Sequence, residues 1–179
     1  MMDARSQRLS RNRKRNRMPL SSLRTSEVVR AVVEHPRRLG ELIALLEDKD
    51  RAVRGRAAAT VARLSETHAG RLVRIIDRLK EDLSDESAYV RWSLVYALGR
   101  IACEFPGRIQ QVLLELTGRM EDENRVVRIV ASRALRRLAA SRPKLVRAVF
   151  ESNKREIPEL LARSIKLAET RGREARKGR

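Results

Sequence analysis

Two aromatic residues and six arginines lie on one side of three regularly spaced segments that are predicted to be helices. Trp92 and Tyr96 are four residues apart, so a helix places both side chains on one face. Aromatic rings stack on nucleic-acid bases or anchor a protein partner, and guanidinium groups bind phosphate or carboxylate through paired hydrogen bonds. We call the full set the basic row; it comprises Arg56, Arg63, Trp92, Tyr96, Arg100, Arg133, Arg136 and Arg137.

The basic row lies opposite the apolar side of these segments. In the first segment, at about 100° per residue, the apolar side contains Val53, Ala57, Val61 and Leu64. The opposite side comprises 15 positions over the three segments, and none of them is Asp or Glu. This pattern favours an acid-free surface that binds an anionic partner. The alternative is that Trp92 packs between helices and that the arginines are only solvated.

The overall charge also favours an anionic partner. The 179 residues include 41 Lys and Arg against 23 Asp and Glu, which gives a net charge of +18. Nucleic acid, an acidic membrane surface or an acidic protein would each match this charge. No apolar run approaches the ~18 residues of a membrane span, so no membrane-spanning segment is predicted. Cys103 is the only cysteine, which fits a reducing, cytoplasmic location. The positive charge would allow association with the nucleoid or the ribosome there.

The chain ends carry more of the positive charge than the middle does. Residues 1–24 contain too few apolar side chains to form a core, so a disordered basic tail is predicted there, and a second basic tail at residues 171–179. The N-terminal tail either binds a polyanion, acts as a targeting signal of the nuclear-import type, or only adds solubility. Its candidate binding residues are Arg11, Arg13, Lys14, Arg15 and Arg17.

Patterns that indicate catalysis or metal binding are missing from the sequence. His35 and His68 lie in different repeats and have no cysteine or carboxylate partners at metal-ligand spacing. The chain has no Gly-rich phosphate loop, and no serine stands in an arrangement that indicates a catalytic triad. The sequence therefore predicts a non-enzymatic protein that needs neither a cofactor nor a metal.

The elements that position the basic row follow from an internal repeat of 37 residues. Asp48, Asp85 and Asp122 are equally spaced, and a Val-Arg pair follows each of them. The third residue of each repeat is Asp50, Ser87 or Asn124, all good helix N-cap residues. A Pro or Gly turn and a partner helix then follow, so each repeat is an antiparallel helix pair that buries its apolar stripe by stacking. We predict an all-α α-solenoid of about four pairs over residues 25–170, with a core of Leu, Val, Ile and Ala.

The repeat resembles the HEAT repeat, including the short HEAT-like class of the PBS-lyase type, over about residues 26–160. The resemblance implies a solenoid whose second helices line a concave surface. It also implies that the repeated Asp and Arg form structural hydrogen bonds between neighbouring repeats. These residues are Asp48, Asp85, Asp122, Arg54, Arg91 and Arg128.

Two functions remain open at this point. The first is non-specific binding of DNA or RNA through a basic concave face and the basic tails, with phosphates on the arginines and bases on Trp92 and Tyr96. The second, which the resemblance makes common, is a scaffold for an acidic protein partner with Trp92 as its hot spot. HEAT-like DNA glycosylases are a minor alternative, because the predicted surface lacks the carboxylate that such an enzyme uses.

Overall fold

A computed structural model describes the backbone of residues 18–177, and the side chains apart from those of residues 172 and 175–177. Every regular element in this range is helical, which confirms the predicted all-α class. The α-helices are α1 (Thr25–Glu34), α2 (Leu39–Ala44), α3 (Arg51–Thr67), α4 (Ala69–Leu72), α5 (Ile76–Glu81), α6 (Ala88–Glu104), α7 (Ile109–Gly118), α8 (Arg125–Ser141), α9 (Pro143–Ser152) and α10 (Glu159–Lys177). Short 3-10 turns connect several of them, including Pro36–Arg38 and Pro106–Arg108, where a proline begins the turn.

Helices α3, α6 and α8 begin the three repeats. Each is 17 residues long, and each begins 37 residues after the one before. The predicted caps lie at their N-termini: Asn124 Oδ1 accepts a hydrogen bond from the Val126 amide at 2.9 Å, and Asp50 Oδ1 accepts one from the Ala52 amide at 2.8 Å. Ser87 is the N-cap residue of α6 and is buried.

The repeated aspartates and arginines fold the turn before each of these helices. Asp85 accepts a hydrogen bond from the Ser87 amide at 2.7 Å, and Asp48 and Asp122 accept equivalent bonds. Arg91 donates back to the Asp85 carbonyl at 2.9 Å and to the Glu86 carbonyl at 3.1 Å. Arg54 and Arg128 donate to the carbonyls at the same places in their own repeats. The structural role expected for these residues is therefore confirmed, but these bonds lie within each repeat. The expected contact between neighbouring repeats is seen where Arg91 also donates to Asp122 of the next repeat.

Backbone contacts divide the chain into two compact units, and the boundary falls between Thr60 and Val61 within α3. The first unit has an apolar core of Val28, Ala31, Val32, Leu42 and Leu46. The predicted N-terminal tail is too long, because its last residues are ordered against this core. Leu20 and Leu23 are buried, and the Leu20 amide donates to Glu41 at 2.7 Å. Residues 1–17, with the five basic candidates of the tail, lie outside the described residues.

The second unit buries apolar side chains from the C-terminal part of α3 to α10. Its fully buried residues include Leu64, Leu79, Leu94, Leu98, Ile101, Leu113, Leu116, Leu135, Leu138 and Phe150. Helix α8 packs against both α6 and α10. Helix α10 continues to Lys177, so the predicted C-terminal tail is helical from residue 171 as far as residue 177.

Gly99 allows α6 and α8 to approach closely. A Cβ atom added at Gly99 would lie 2.6 Å from the Ala134 Cβ, well inside van der Waals contact. The same residue lies on the side of α6 that carries Tyr96 and Arg100, so this close approach also shapes the candidate site.

Candidate functional site

The structure brings four residues of the basic row around one small pocket. The pocket has a volume of about 160 Å³ and lies between α6 and α8. Its lining consists of Tyr96, Gly99, Arg100, Val130, Arg133, Ala134 and Arg137. We call it the arginine pocket. Three guanidinium groups and one phenol therefore share a space with apolar walls, as expected for a site that binds an anionic group.

Among the described residues, no carboxylate lines the arginine pocket, but one lies beside it. The Tyr96 hydroxyl donates to Glu66 Oε1 at 3.1 Å, and Arg100 Nη2 donates to the Glu66 carbonyl at 3.2 Å. Burial, followed by the Glu66 carboxylate, raises the pKa of Tyr96 above its ordinary value. The phenol is therefore protonated near neutral pH and keeps the hydrogen that it donates to Glu66.

The arginines of the pocket lack charged partners. Within residues 18–177, Arg100, Arg133 and Arg137 form no ion pair. The Nε atom of Arg100 is buried and has no acceptor among the described residues. These groups are therefore available to an external anion, whereas Arg91, nine residues N-terminal to Arg100 in the same helix, is saturated by acceptors.

Trp92 does not line the arginine pocket. Its ring instead meets Tyr89 in an edge-to-face contact, with centroids 5.1 Å apart and planes at 81°. Tyr89 is 47% exposed, and the equivalent residues of the next repeat, Val126 and Ile129, are 49% and 38% exposed. Tyr89, Trp92, Val126 and Ile129 form what we call the apolar patch, in the first turns of α6 and α8.

Sequence reasoning missed Tyr89, Val126 and Glu66. The 15 predicted positions opposite the apolar side began at Trp92 in α6 and at Ile129 in α8, and one more helical turn toward the N-terminus would have included Tyr89 and Val126. Glu66 was not detectable, because its contact with Tyr96 depends on the relative shift of neighbouring helices. Two of the 15 positions, Ser93 and Gly99, are buried, since adjacent helices pack side by side.

The remaining members of the basic row lie outside the pocket. Arg136 is exposed on α8, next to Arg137 in sequence, but does not line the pocket. Arg63 is exposed on α3. Arg56 belongs to the first unit, where its guanidinium donates to the Ser21 carbonyl at 3.2 Å. The structure thus gathers Tyr96, Arg100, Arg133 and Arg137 around the pocket, and within the second unit Arg63, Trp92 and Arg136 do not line it.

Cys103 lies near the pocket arginines without being activated by them. Burial raises the pKa of its thiol, although Arg137 and Arg100 act in the opposite direction. The thiol is therefore protonated near neutral pH and is not a reactive thiolate.

A larger cavity of about 690 Å³ lies elsewhere in the second unit. It is lined by residues of α7 and the following turn, and by Arg91, Asp122, Glu123 and Arg155. Its charges are of both signs and partly paired, because Arg91 contacts both Asp122 and Glu123. We therefore consider the arginine pocket, where uncompensated charge is concentrated, the better candidate for ligand binding.

The part of the chain that the structure describes contains neither a metal site nor a membrane span. No cluster of His, Cys, Asp and Glu there could hold a metal ion. None of the helices between residues 18 and 177 combines the length and apolar character required to cross a membrane.

Comparisons with known proteins identify the fold. A family model described as HEAT repeats matches residues 39–136, and no curated protein matches the chain. A designed armadillo repeat protein, YIII(Dq.V1)4CPAF, solved in complex with the peptide (KR)4, is 18% identical over 92% of this chain and 75% of its own, with a TM-score of 0.58.

Two further designed armadillo repeat proteins give similar values. YIII(Dq)4CqI is 20% identical, covers 94% of this chain and 76% of its own, and has a TM-score of 0.59. A computationally designed armadillo repeat protein for modular peptide recognition is 21% identical, covers 93% and 75%, and has a TM-score of 0.57. At these identities the likeness is one of fold, and it agrees with the predicted α-solenoid. Since the family model matches more than half of its residues, the chain belongs to the HEAT-repeat family.

Proposed function

We propose that this protein is a non-enzymatic protein-interaction module that binds an acidic peptide segment across α6 and α8. One observation carries the proposal: an exposed apolar patch lies on the same two helices as a pocket of three arginines that have no carboxylate partner. A partner that combines apolar and acidic side chains would satisfy both features.

The two parts of this surface contribute different terms to binding. Burial of Tyr89, Trp92 and Ile129 supplies affinity, because aromatic and aliphatic anchors dominate the energetics of protein interfaces. The arginines supply specificity for carboxylates or other oxyanions and steer the encounter. The partner is therefore expected to align its apolar residue with the N-terminal turns of α6 and α8.

The spacing along α6 defines the ligand further. Trp92 and Arg100 are eight residues apart, which corresponds to about 12 Å along a helix. An extended peptide advances ~3.3 Å per residue, so an apolar residue and an acidic residue about four positions apart would contact both parts. This distance is a requirement that peptide variants can test.

The solved neighbours support a peptide as the partner. One of them was solved with the peptide (KR)4, and another was designed for modular peptide recognition. In the present chain the candidate surface is rich in arginine, so charge complementarity requires a peptide of the opposite sign from (KR)4. The net charge of +18 favours the same sign of partner.

Nucleic acid is the competing partner, and salt dependence separates the two. Binding to phosphates releases counterions, so log affinity falls steeply and linearly with log salt. A peptide held by an apolar anchor retains most of its affinity, because salt screens only the charged contacts. The apolar patch favours the peptide, since non-specific binding to a phosphate backbone does not require aliphatic residues such as Val126 and Ile129.

The test is fluorescence anisotropy with a labelled peptide that contains one leucine and, four positions later, three glutamates. The full chain should bind this peptide more tightly than it binds a second peptide in which lysines replace the glutamates. Trp92→Ala should weaken binding by about 10- to 30-fold, the cost of losing a hot-spot residue. Leu145→Ala is the matched control, since Leu145 is an exposed apolar residue on α9.

Two results would overturn the proposal. Equal affinity for the glutamate and lysine peptides would remove the acidic partner. A single-stranded oligonucleotide that binds far more tightly than the peptide, with a steep salt slope that Trp92→Ala leaves unchanged, would assign the surface to nucleic acid instead.

A further inference from the structure

We infer that the arginine pocket is a subsite for a phosphoryl group on a phosphorylated side chain of the bound peptide. The inference rests on the proposed function, because it names the part of an acidic peptide that the pocket selects. It implies that phosphorylation of the partner strengthens the complex.

Charge is the first argument for a phosphoryl group. Arg100, Arg133 and Arg137 line one pocket of about 160 Å³, and no carboxylate lines it. Three like charges in so small a space repel one another, and a single carboxylate supplies only one compensating charge. A phosphorylated side chain carries about −1.5 to −2 charges at neutral pH, so it compensates more of the pocket's charge.

Hydrogen-bond capacity is the second argument. Arg100 Nε is buried without an acceptor, and Arg133 and Arg137 have no hydrogen-bond partner in the described part of the chain. An unsatisfied buried donor such as Arg100 Nε costs free energy, so an acceptor in the pocket is stabilising. Arg133 and Arg137 are exposed, so their donors can turn to a ligand. The three terminal oxygens of a phosphoryl group accept several bonds at once, in the forked geometry that guanidinium groups favour.

Size is the third argument. A volume of about 160 Å³ is more than ten times the ~10–15 Å³ that a single water molecule requires. That space suits a phosphoryl group together with its bridging oxygen and the first carbon of a side chain. The walls formed by Gly99, Val130 and Ala134 are apolar, so they match the carbon stem of a phosphoserine or phosphothreonine.

Glu66 adds a competing charge at the edge of the pocket. Its carboxylate accepts the hydrogen bond of the Tyr96 hydroxyl, so it occupies one donor that a ligand oxygen would otherwise use. A dianionic ligand also meets repulsion from this carboxylate. Glu66→Gln should therefore raise the affinity for a phosphorylated ligand, while retaining an amide oxygen that accepts from Tyr96.

The experiment compares three versions of one labelled peptide with a leucine anchor and flanking glutamates. The central residue, placed four positions after the leucine, is serine, glutamate or phosphoserine. Phosphoserine should bind about tenfold more tightly than serine, and more tightly than glutamate, because it adds charge-assisted hydrogen bonds. In the double variant Arg133→Gln with Arg137→Gln, this gain in affinity from phosphoserine, the phosphoserine increment, should be lost.

Arg136→Gln is the matched control for that double variant. It removes a guanidinium from the same helix, next to Arg137 in sequence, but from outside the pocket. It should lower the affinity for all three peptides slightly and equally, leaving the phosphoserine increment intact. Circular dichroism of each variant is the check that the helices are retained.

The outcomes distinguish this inference from the proposed function. If the serine, glutamate and phosphoserine peptides bind equally well, the subsite is wrong and the acidic-peptide module stands. The subsite is also wrong if Arg136→Gln removes the increment as fully as the pocket variant does. If no peptide binds, both proposals fail. An oligonucleotide that binds more tightly than phosphoserine peptide, with the same dependence on Arg133 and Arg137, would assign the pocket to nucleic-acid phosphate.

Discussion

The repeat junction around Arg91 and the arginine pocket use the same residue type in opposite ways. Arg91 donates from Nε and Nη2 to both oxygens of Asp122 at 2.9 Å, and the two side chains are 6% and 3% exposed. It also binds Glu123 and two backbone carbonyls. The arginines of the pocket have no carboxylate partner within the described residues. The difference indicates that a structural arginine is distinguished from one available to a ligand by its carboxylate partner, and not by residue type or repeat position.

The largest expected effect comes from breaking the junction. Asp122→Ala should destabilise the protein by about 3–5 kcal/mol, because it leaves the buried Arg91 guanidinium without its main counterion. Urea unfolding monitored by circular dichroism measures the change. Glu123→Gln is the control: the Glu123 side chain is 82% exposed, and exposed ion pairs contribute only about 0–1 kcal/mol. Similar losses in the two variants would contradict the structural role of the pair.

The same pair predicts a dependence on pH. Burial alone would raise the pKa of Asp122, but hydrogen bonds from Arg91 and from the Asn124 amide outweigh it, and the pKa is lowered. The stabilisation from Asp122 is therefore complete above its pKa in the unfolded chain. It is lost as the pH falls through the lower pKa of the folded state. The stability difference between wild type and Asp122→Ala should shrink over that acidic range.

The next largest effect concerns the contact that sets the distance between α6 and α8. Gly99→Ala places a methyl group 2.6 Å from the Ala134 Cβ, so overpacking should cost about 1–3 kcal/mol. The variant should also weaken binding of the phosphoserine peptide, because Gly99 lines the arginine pocket. Gly118→Ala is the matched control: nothing lies within 4 Å of the added Cβ, and the substitution should stabilise by about 0.4–1 kcal/mol. Equal effects at the two glycines would argue against the close approach of the helices.

The two regions also differ in how far the sequence predicts them. The positions of Asp85 and Asp122 predicted the repeat, its helices and, through the HEAT resemblance, the contact with Arg91. The basic row predicted that Tyr96, Arg100, Arg133 and Arg137 share a surface. It did not predict that Trp92 turns to Tyr89, nor that Glu66 reaches Tyr96, because periodicity fixes which face of a helix is exposed but not how far neighbouring helices are shifted.

The smallest expected effect on stability sharpens the comparison most. Arg133→Gln with Arg137→Gln removes two charges that have no partner in residues 18–177, so no favourable contact is lost and repulsion with Arg100 decreases. Stability should change by less than ~0.5 kcal/mol, the usual limit for surface substitutions, and at low salt it should rise slightly because screening is weakest there. Thermal unfolding at low and moderate salt measures this change in stability.

A loss of stability comparable to that of Asp122→Ala would mean that these arginines hold the fold together. Their lack of carboxylate partners would then not mark a binding site. If stability is retained or increased while the phosphoserine increment is lost, these arginines act on the ligand. A substitution can abolish binding without lowering stability only where the folded chain does not depend on the residue.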